Sequence, residues 1–224
     1  GLVALAVVVG LHASRSTSGA NAVVRDFYGV LRVRTHVLID PAWRVKEMSH
    51  GHTTHGCQVL WPKDKEFMPT AYYGVDSGVG LVFRYADRGP GYTVGAIGLG
   101  IGTVALYGHE GEHFRFYEIN PNVAELARRE FTILGACRAQ CEIVLGDGRL
   151  SLEREAQETF DLLILDAFTG DAVPMHLLTR EAFEVYKSRL KPGGILAVHI
   201  SNMYLDLQPV VRGAAKSAGL QWRT

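Results

Sequence analysis

The ends of four apolar stretches between residues 92 and 166 constrain the fold of this chain most strongly. The first stretch leads into the glycine turn 98–102 (Gly-Leu-Gly-Ile-Gly), and the other three end on Glu118, Asp147 and Asp166. In an open parallel α/β sheet, ligands bind outside the carboxyl ends of the strands, and glycines in the first turn let the backbone approach the ligand. The pattern therefore predicts a sheet whose strand ends surround one ligand.

The glycine turn and Glu118 together predict an adenosine-binding site. Glu118 follows Gly98 by about 20 residues, the spacing at which a carboxylate accepts hydrogen bonds from the two ribose hydroxyls. A dinucleotide site would have glycine where this chain has Thr103, and the pattern GxGxG, which includes Gly100, is instead similar to that of S-adenosylmethionine-binding proteins. No GxxxxGK[ST] motif is present, which argues against a nucleoside triphosphate. The alternative is a tight turn followed by a solvated glutamate.

The region as a whole predicts an α/β domain with a mostly parallel, methyltransferase-like (Rossmann-like) sheet and helices on both faces. Asn120 is a typical N-cap, and Pro121 follows at the first helical position. The usual sheet of this class has two more strands than this chain can supply, so we expect a truncated C-terminus or an edge supplied by another chain. We expect strands over 93–99, 113–117, 160–165 and 195–201, one more ending at 147, and helices after the glycine turn and over 121–134, 177–190 and 207–218.

Alternating polar and apolar residues before this domain predict a small antiparallel β unit of three or four strands. We expect an apolar segment and linker over 1–20, the β unit over 21–78 and the α/β domain over 79–224. The apolar run at 1–11 has about half the length of a membrane-spanning helix. It is either a buried or interfacial segment or the tail of a transmembrane helix. In the second case the α/β domain would be the cytoplasmic, soluble domain of a membrane protein.

Composition narrows the classes of partner and cofactor. The net charge is zero, so the chain lacks the basic face of a nucleic-acid-binding protein. Its three cysteines have no metal or redox spacing, so we expect reduced thiols, with Cys137 and Cys141 buried rather than bridged. Three histidines at 50, 52 and 55 have no cysteine or acidic cluster nearby to complete a metal site, and we expect no metal.

Two polar residues and one aromatic residue before the glycine turn are candidate ligand contacts. His55 and Gln58 follow glycines that shape a turn, and we expect them to direct polar groups at a ligand. Tyr73 lies in a predicted rim loop with paired tyrosines. The alternative is that it packs between the β unit and the sheet.

In this order, the segment His55-Gly-Cys-Gln58, the glycine turn and the acidic residues after it resemble the spermidine synthase (polyamine aminopropyltransferase) family. The resemblance covers roughly residues 25–201 and is greatest for the subgroup fused behind membrane helices. It implies an N-terminal β domain, a methyltransferase-like sheet and a homodimer or tetramer. It also implies decarboxylated S-adenosylmethionine as the aminopropyl donor, a polyamine as the acceptor and methylthioadenosine as the product.

The resemblance also implies a role for each matching residue. Asp166 would be the catalytic base, Asp171 would bind the acceptor amine, and Tyr73 matches the family's rim tyrosine loosely. Gln58 and Glu118 would contact the donor's sulfur end and ribose. Asp147 and Gly148 would hold adenine, and Pro174 would line the adenine pocket. From the residues alone, Asp147 and Asp171 could instead cap the helices that follow them.

One position departs from the family pattern. Spermidine synthases have an aspartate inside the glycine turn that holds the donor's amino group, and this chain has Ile101. An apolar side chain offers neither the charge nor a hydrogen bond. Three hypotheses follow: a polyamine aminopropyltransferase, a methyltransferase that uses intact S-adenosylmethionine, and a non-catalytic adenosyl-ligand-binding domain of a membrane protein.

Overall fold

The computed structural model describes residues 19–38, 42–51, 53–167, 174–202 and 204–223. The first sheet is antiparallel in the order β1-β2-β3-β4, with β1 Ala20–Asp26, β2 Gly29–Val37, β3 Arg44–His50 and β4 Thr53–Trp61. The second sheet is parallel in the order β7-β6-β5-β8-β9, with β5 Thr93–Ile97, β6 His113–Glu118, β7 Gln140–Leu145, β8 Phe160–Leu165 and β9 Leu190–Val198. The helix α1 Gly78–Tyr85 precedes this sheet. The helices that follow its first strand are α2 Pro121–Glu130, α3 Gly148–Glu153, α4 Arg180–Arg189 and α5 Gln208–Ser217.

The parallel sheet is the methyltransferase-like, Rossmann-like sheet that the sequence predicts. Its strand order places β5 at the centre, and the chain crosses from one half of the sheet to the other between β7 and β8. The reversal of strand order next to β5 is the point at which such sheets bind ligands. The predicted N-terminal β unit is confirmed as the four-stranded antiparallel sheet.

The core covers both faces of the parallel sheet. Leu162 and Ile164 of β8 belong to one buried cluster, and Leu163 and Leu165 belong to another, because successive side chains of a strand point to opposite faces. The first cluster also contains Leu31, Val33 and Met48 of the antiparallel sheet. The two sheets therefore share one core, and the division of the chain at residue 78 stays a prediction.

The helices α1, α2 and α4 each follow a residue whose side chain caps the first turn. The Asn120 side chain accepts a hydrogen bond from the backbone N–H of Asn122 (2.9 Å), as predicted for the start of α2. Thr179 and Ser77 cap α4 and α1 in the same way. The helix α1 was not predicted, although Ser77 is a suitable N-cap.

Three local predictions are wrong. The segment after the glycine turn is a five-residue 3-10 helix, Thr103–Tyr107, rather than an α-helix, because it lies between Gly102, in the left-handed region, and Gly108. The predicted strand 195–201 begins at Leu190 and ends at Val198, with a bulge at 191–194, since Phe160 pairs with Leu190 while Leu162 pairs with Ile195. The predicted helix 177–190 begins at Arg180, after a short 3-10 turn.

The cysteine prediction is also wrong. Cys137 and Cys141 form a disulfide, with their Cα atoms 6.9 Å apart. Cys137 directly follows the 3-10 turn 134–136, and Cys141 is the second residue of β7. Cys57 is a free thiol.

No helix in the described ranges is long and apolar enough to cross a membrane. The apolar run 1–11, on which the transmembrane prediction rests, lies outside those ranges.

Candidate active site

The glycine turn lies at the carboxyl end of β5, and two of its positions have room only for glycine. Gly98 has φ +98°, and a Cβ there would overlap the backbone carbonyl of Asp166. Gly100 has φ +55°, and a Cβ there would overlap the carbonyl of His55. Both positions need glycine for backbone conformation and for space. The turn is therefore packed directly against two other segments that carry predicted site residues.

Glu118 ends β6 beside this turn. Its Oε2 accepts a hydrogen bond from the Leu99 N–H (3.1 Å), and its Oε1 accepts one from the Asn120 N–H (2.8 Å). Burial raises the pKa of the Glu118 carboxyl, and these backbone hydrogen bonds oppose the rise. The carboxylate is thus fixed at the strand end, with its remaining lone pairs at the wall of the pocket described below.

Asp166 ends β8, the strand next to β5. Its backbone N–H donates to the Ile97 carbonyl (2.9 Å), which continues the parallel ladder past the strand end. The hydroxyl of Tyr73 donates to Oδ2, and Tyr72 also hydrogen-bonds to the carboxyl group. Burial raises the pKa of Asp166, while the nearby His199 and the two phenols oppose the rise. The predicted rim tyrosine, Tyr73, is therefore a direct partner of the predicted base.

One pocket of about 180 Å³ joins these strand ends. It contains the glycine turn together with Glu118, Asp147 and Asp166, so the structure brings the four predicted strand ends to one site. The antiparallel sheet covers the pocket with Tyr28, His50 and His55. Gly148 and Pro174, both predicted to lie near adenine, also line it.

His55 lies on β4 and stacks on His50, with ring centroids 5.7 Å apart. The Nε2 atom of His55 is buried, and no described residue hydrogen-bonds to it. Burial lowers the pKa of His55 to about 4, and repulsion from His50 adds to this effect. A buried nitrogen without a partner at a pocket wall is a candidate contact for a ligand. His52 is not among the described residues.

The Asp147 carboxylate contacts two neighbouring groups just after the end of β7. Its Oδ1 accepts a hydrogen bond from the Leu150 N–H (2.9 Å), which caps α3, and its Oδ2 lies 2.9 Å from Nε2 of His176. A Cβ on Gly148 would overlap the side chain of Ile97. One Asp147 oxygen therefore caps α3, as the alternative prediction has it, and the residue also lines the pocket.

Two predicted contacts, Gln58 and Tyr73, do not line the pocket, and neither does Ile101 of the glycine turn. Gln58 is buried, and its amide exchanges two hydrogen bonds with Thr132, one from Gln58 Nε2 to Thr132 Oγ1 and one from the Thr132 N–H to Gln58 Oε1. It joins β4 to the segment after α2. Ile101 is fully buried against Gly56. Asp171, the predicted acceptor contact, lies outside the described residues.

The sequence analysis missed two residues of this site. His199 follows β9, and its Nδ1 lies 3.5 Å from Oδ1 of Asp166. The ring of Tyr72 packs edge-on against His199, with centroids 4.4 Å apart. His199 lies inside the predicted strand 195–201, so the strand-end rule that selected Glu118, Asp147 and Asp166 passed over it. The observed strand ends at Val198, and His199 is the first residue after it.

Comparison with known proteins identifies the relatives of this arrangement. No family model matches the sequence. A polyamine aminopropyltransferase of Vibrio vulnificus is 33% identical over 157 residues, which cover 66% of this chain and 49% of that protein. The chain is related to the spermidine synthase family. A second relative, polyamine aminopropyltransferase 2 of Pseudomonas aeruginosa, is 38% identical over 61 residues, which cover 26% of this chain and 17% of that protein.

The fold of the chain is also similar to that of a solved structure. The crystal structure of a probable spermidine synthase from Corynebacterium glutamicum matches with a TM-score of 0.60 at 20% identity, covering 79% of this chain and 62% of that one. The chain spans about half the length of its Vibrio polyamine aminopropyltransferase relative. Membership of the membrane-fused subgroup stays a prediction.

Proposed function

We propose that this chain transfers an aminopropyl group from decarboxylated S-adenosylmethionine to a polyamine amine. The observation that supports this most is the placement of Asp166. It lies at the carboxyl end of β8, is held by Tyr73, and lines the same pocket as the glycine turn and Glu118. The proposed proton acceptor and the proposed adenosine-binding residues therefore line one pocket.

The adenosyl part of the donor would bind along the parallel strand ends. Gly98 and Gly100 allow close approach of the backbone, and Glu118 would accept hydrogen bonds from the ribose hydroxyls. Asp147, Gly148 and Pro174 would surround adenine at the neighbouring strand end. From the antiparallel sheet, His55 is the proposed contact, and its Nε2 atom, to which no described residue hydrogen-bonds, supports this role. Gln58, whose amide bonds to Thr132, would instead hold β4 to the segment after α2.

The acceptor amine needs a base because alkylammonium groups have pKa values around 10 and no lone pair when protonated. Asp166 would first hold the ammonium and then receive one proton on a carboxylate oxygen. The freed nitrogen lone pair forms a bond to the methylene beside the donor's sulfonium. The carbon–sulfur bond breaks, and sulfur keeps the electron pair as neutral methylthioadenosine leaves.

The surroundings of Asp166 suit this role. Burial raises its pKa, so the carboxylate is a stronger base than an exposed aspartate. The Tyr73 hydroxyl fixes one oxygen, which supports an orienting as well as a basic function. Asp171 would add a second negative charge that attracts a polyamine. We also propose, from the family resemblance, a homodimer or tetramer and a cytoplasmic location.

A second candidate is methyl transfer from intact S-adenosylmethionine, and Ile101 favours it. This side chain is fully buried and packs on Gly56, at the position where spermidine synthases have the aspartate that holds the donor's amino group. Ile101 therefore supplies no carboxylate at this position. Such a carboxylate would favour decarboxylated S-adenosylmethionine, whose aminopropyl end carries only an amino group, over intact S-adenosylmethionine, which carries both an amino and a carboxylate group.

A mass-spectrometric assay with both donors separates the candidates. Purified protein is incubated with decarboxylated or intact S-adenosylmethionine and a pool of di- and polyamines. Methylthioadenosine together with an amine heavier by one aminopropyl group supports the proposal. S-adenosylhomocysteine with a methylated amine supports the second candidate. Retention of a donor without any product supports a binding domain and contradicts both.

A further inference from the structure

The carboxyl ends of two neighbouring strands place an imidazole beside the proposed base. β8 and β9 pair in parallel, and the backbone N–H of His199 donates to the carbonyl of Leu165 (2.9 Å), the residue before Asp166. The Nδ1 atom of His199 is 3.5 Å from Oδ1 of Asp166. Both side chains are largely buried, with exposures of 16% and 12%. The pairing is therefore built by the sheet itself and is shielded from solvent.

Three titratable groups among the described residues face Asp166, namely the phenols of Tyr72 and Tyr73 and the imidazole of His199. Burial and the Asp166 charge raise the pKa of Tyr72 and of Tyr73, so both phenols stay protonated and donate hydrogen bonds. They can orient the Asp166 carboxylate but cannot accept a proton from it. An imidazole can, because its ordinary pKa lies in the physiological range.

We propose that His199 accepts from Asp166 the proton that the acceptor amine releases. The inference rests on the proposed function and extends it from one residue to a pair. The ammonium N–H bond breaks and the proton moves to an Asp166 oxygen. It then moves to Nδ1 of His199, so that the carboxylate is ionised again while the aminopropylated product leaves. No electron is transferred, and the proton finally returns to solvent.

The orientation of the imidazole supports this path. The edge-on contact of Tyr72 holds the His199 ring at an interplanar angle of 80°. Tyr72 thus contacts both members of the pair, since it also hydrogen-bonds to Asp166. His199 acts through Asp166 and is therefore a positioning residue for the proposed reaction.

The test compares His199→Asn with His199→Leu. Asparagine keeps a side-chain amide near the place of Nδ1 but cannot accept a proton, whereas leucine removes both properties. We expect His199→Asn to lower kcat by roughly 10-fold or more, with little change in KM for the amine, and to remove one ionisation from the acid limb of the pH profile. His113→Asn, at the exposed amino end of β6, is the matched control and should behave as the unsubstituted protein.

Two results would overturn the inference. One is a His199→Asn protein with unchanged kcat and an unchanged pH profile, which would reduce His199 to a packing residue. The other is seen without turnover, by nitrogen NMR of the histidine rings. The His199 Nδ1 resonance should move in an Asp166→Asn protein, and an unmoved resonance would exclude the pairing. If the unsubstituted protein makes no methylthioadenosine, the proposed function fails while the NMR result still decides the pairing.

Discussion

The Tyr73 hydroxyl hydrogen-bonds to Oδ2 of Asp166 and so connects the segment after the antiparallel sheet to the end of β8. A second bond fixes the tyrosine, because the hydroxyl of Tyr107 donates to the Tyr73 carbonyl (2.5 Å). Burial and hydrogen bonding act on Asp166 in opposite directions, and the net effect is a raised pKa. Small changes around this carboxyl group should therefore alter both rate and pH dependence.

Removal of the Tyr73 hydroxyl should weaken catalysis and shift its pH profile. The hydrogen bond favours the ionised carboxylate, so Tyr73→Phe raises the pKa of Asp166 further, and the acid limb of kcat/KM moves to higher pH. A hydrogen bond to a charged group contributes about 1.5–3 kcal/mol, which corresponds to roughly 10- to 100-fold in rate. Tyr85→Phe removes a hydroxyl from a side chain that is 77% exposed and should leave the profile unchanged. Equal profiles for the two variants would contradict this prediction.

Loss of the base should separate binding from turnover. Asp166→Asn keeps the size of the side chain but cannot accept a proton from the amine, so we expect kcat to fall by about 10²- to 10⁴-fold. The glycine turn and Glu118 are unchanged, so affinity for methylthioadenosine, measured by calorimetry, should stay within a few-fold of the original. Full activity in this variant would refute the role assigned to Asp166.

The glycine turn predicts a pair of alanine substitutions with opposite effects on stability. Gly98→Ala places a Cβ against the Asp166 carbonyl at φ +98°, and we expect a loss of at least about 2 kcal/mol in the free energy of unfolding. Gly213→Ala lies in α5 with open space around the new Cβ and should gain about 0.5–1 kcal/mol. Urea unfolding measures both, and similar values would show that the turn tolerates a side chain.

The buried histidine predicts a loss of stability in mild acid. His55 has a folded-state pKa of about 4 against an ordinary value of 6.5, so the unfolded chain binds more protons between these values. The free energy of unfolding should therefore fall as pH drops from 6.5 to 4, by up to about 3 kcal/mol. His55→Phe should remove most of this loss. The same substitution at exposed His113 should not, and equal pH dependence in the two variants would count against a neutral buried His55.

The sequence predicted the parallel sheet and its ligand end because strands, glycine turns and caps leave local patterns. Asp166 and Glu118 were found in this way, from their positions directly after apolar runs. Gln58 shows the limit of such reasoning, since its partner is Thr132, whose distance along the chain hides the contact. The Cys137–Cys141 bridge was missed for a different reason, because a separation of four residues is compatible both with a bridge and with two buried thiols.

Asp26 has a consequence for how this protein could be divided. Its Oδ1 accepts the N–H groups of Tyr28 and Gly29 in the β1–β2 hairpin, and its Oδ2 accepts the side-chain amides of Asn120 and Asn122 at the start of α2. One carboxylate thus completes a turn in one sheet and the first turn of a helix on the other. The antiparallel sheet is consequently a structural part of the end of the pocket that Glu118 and Asn120 line, and a chimera with a different N-terminal sheet would have to supply an acid at this place.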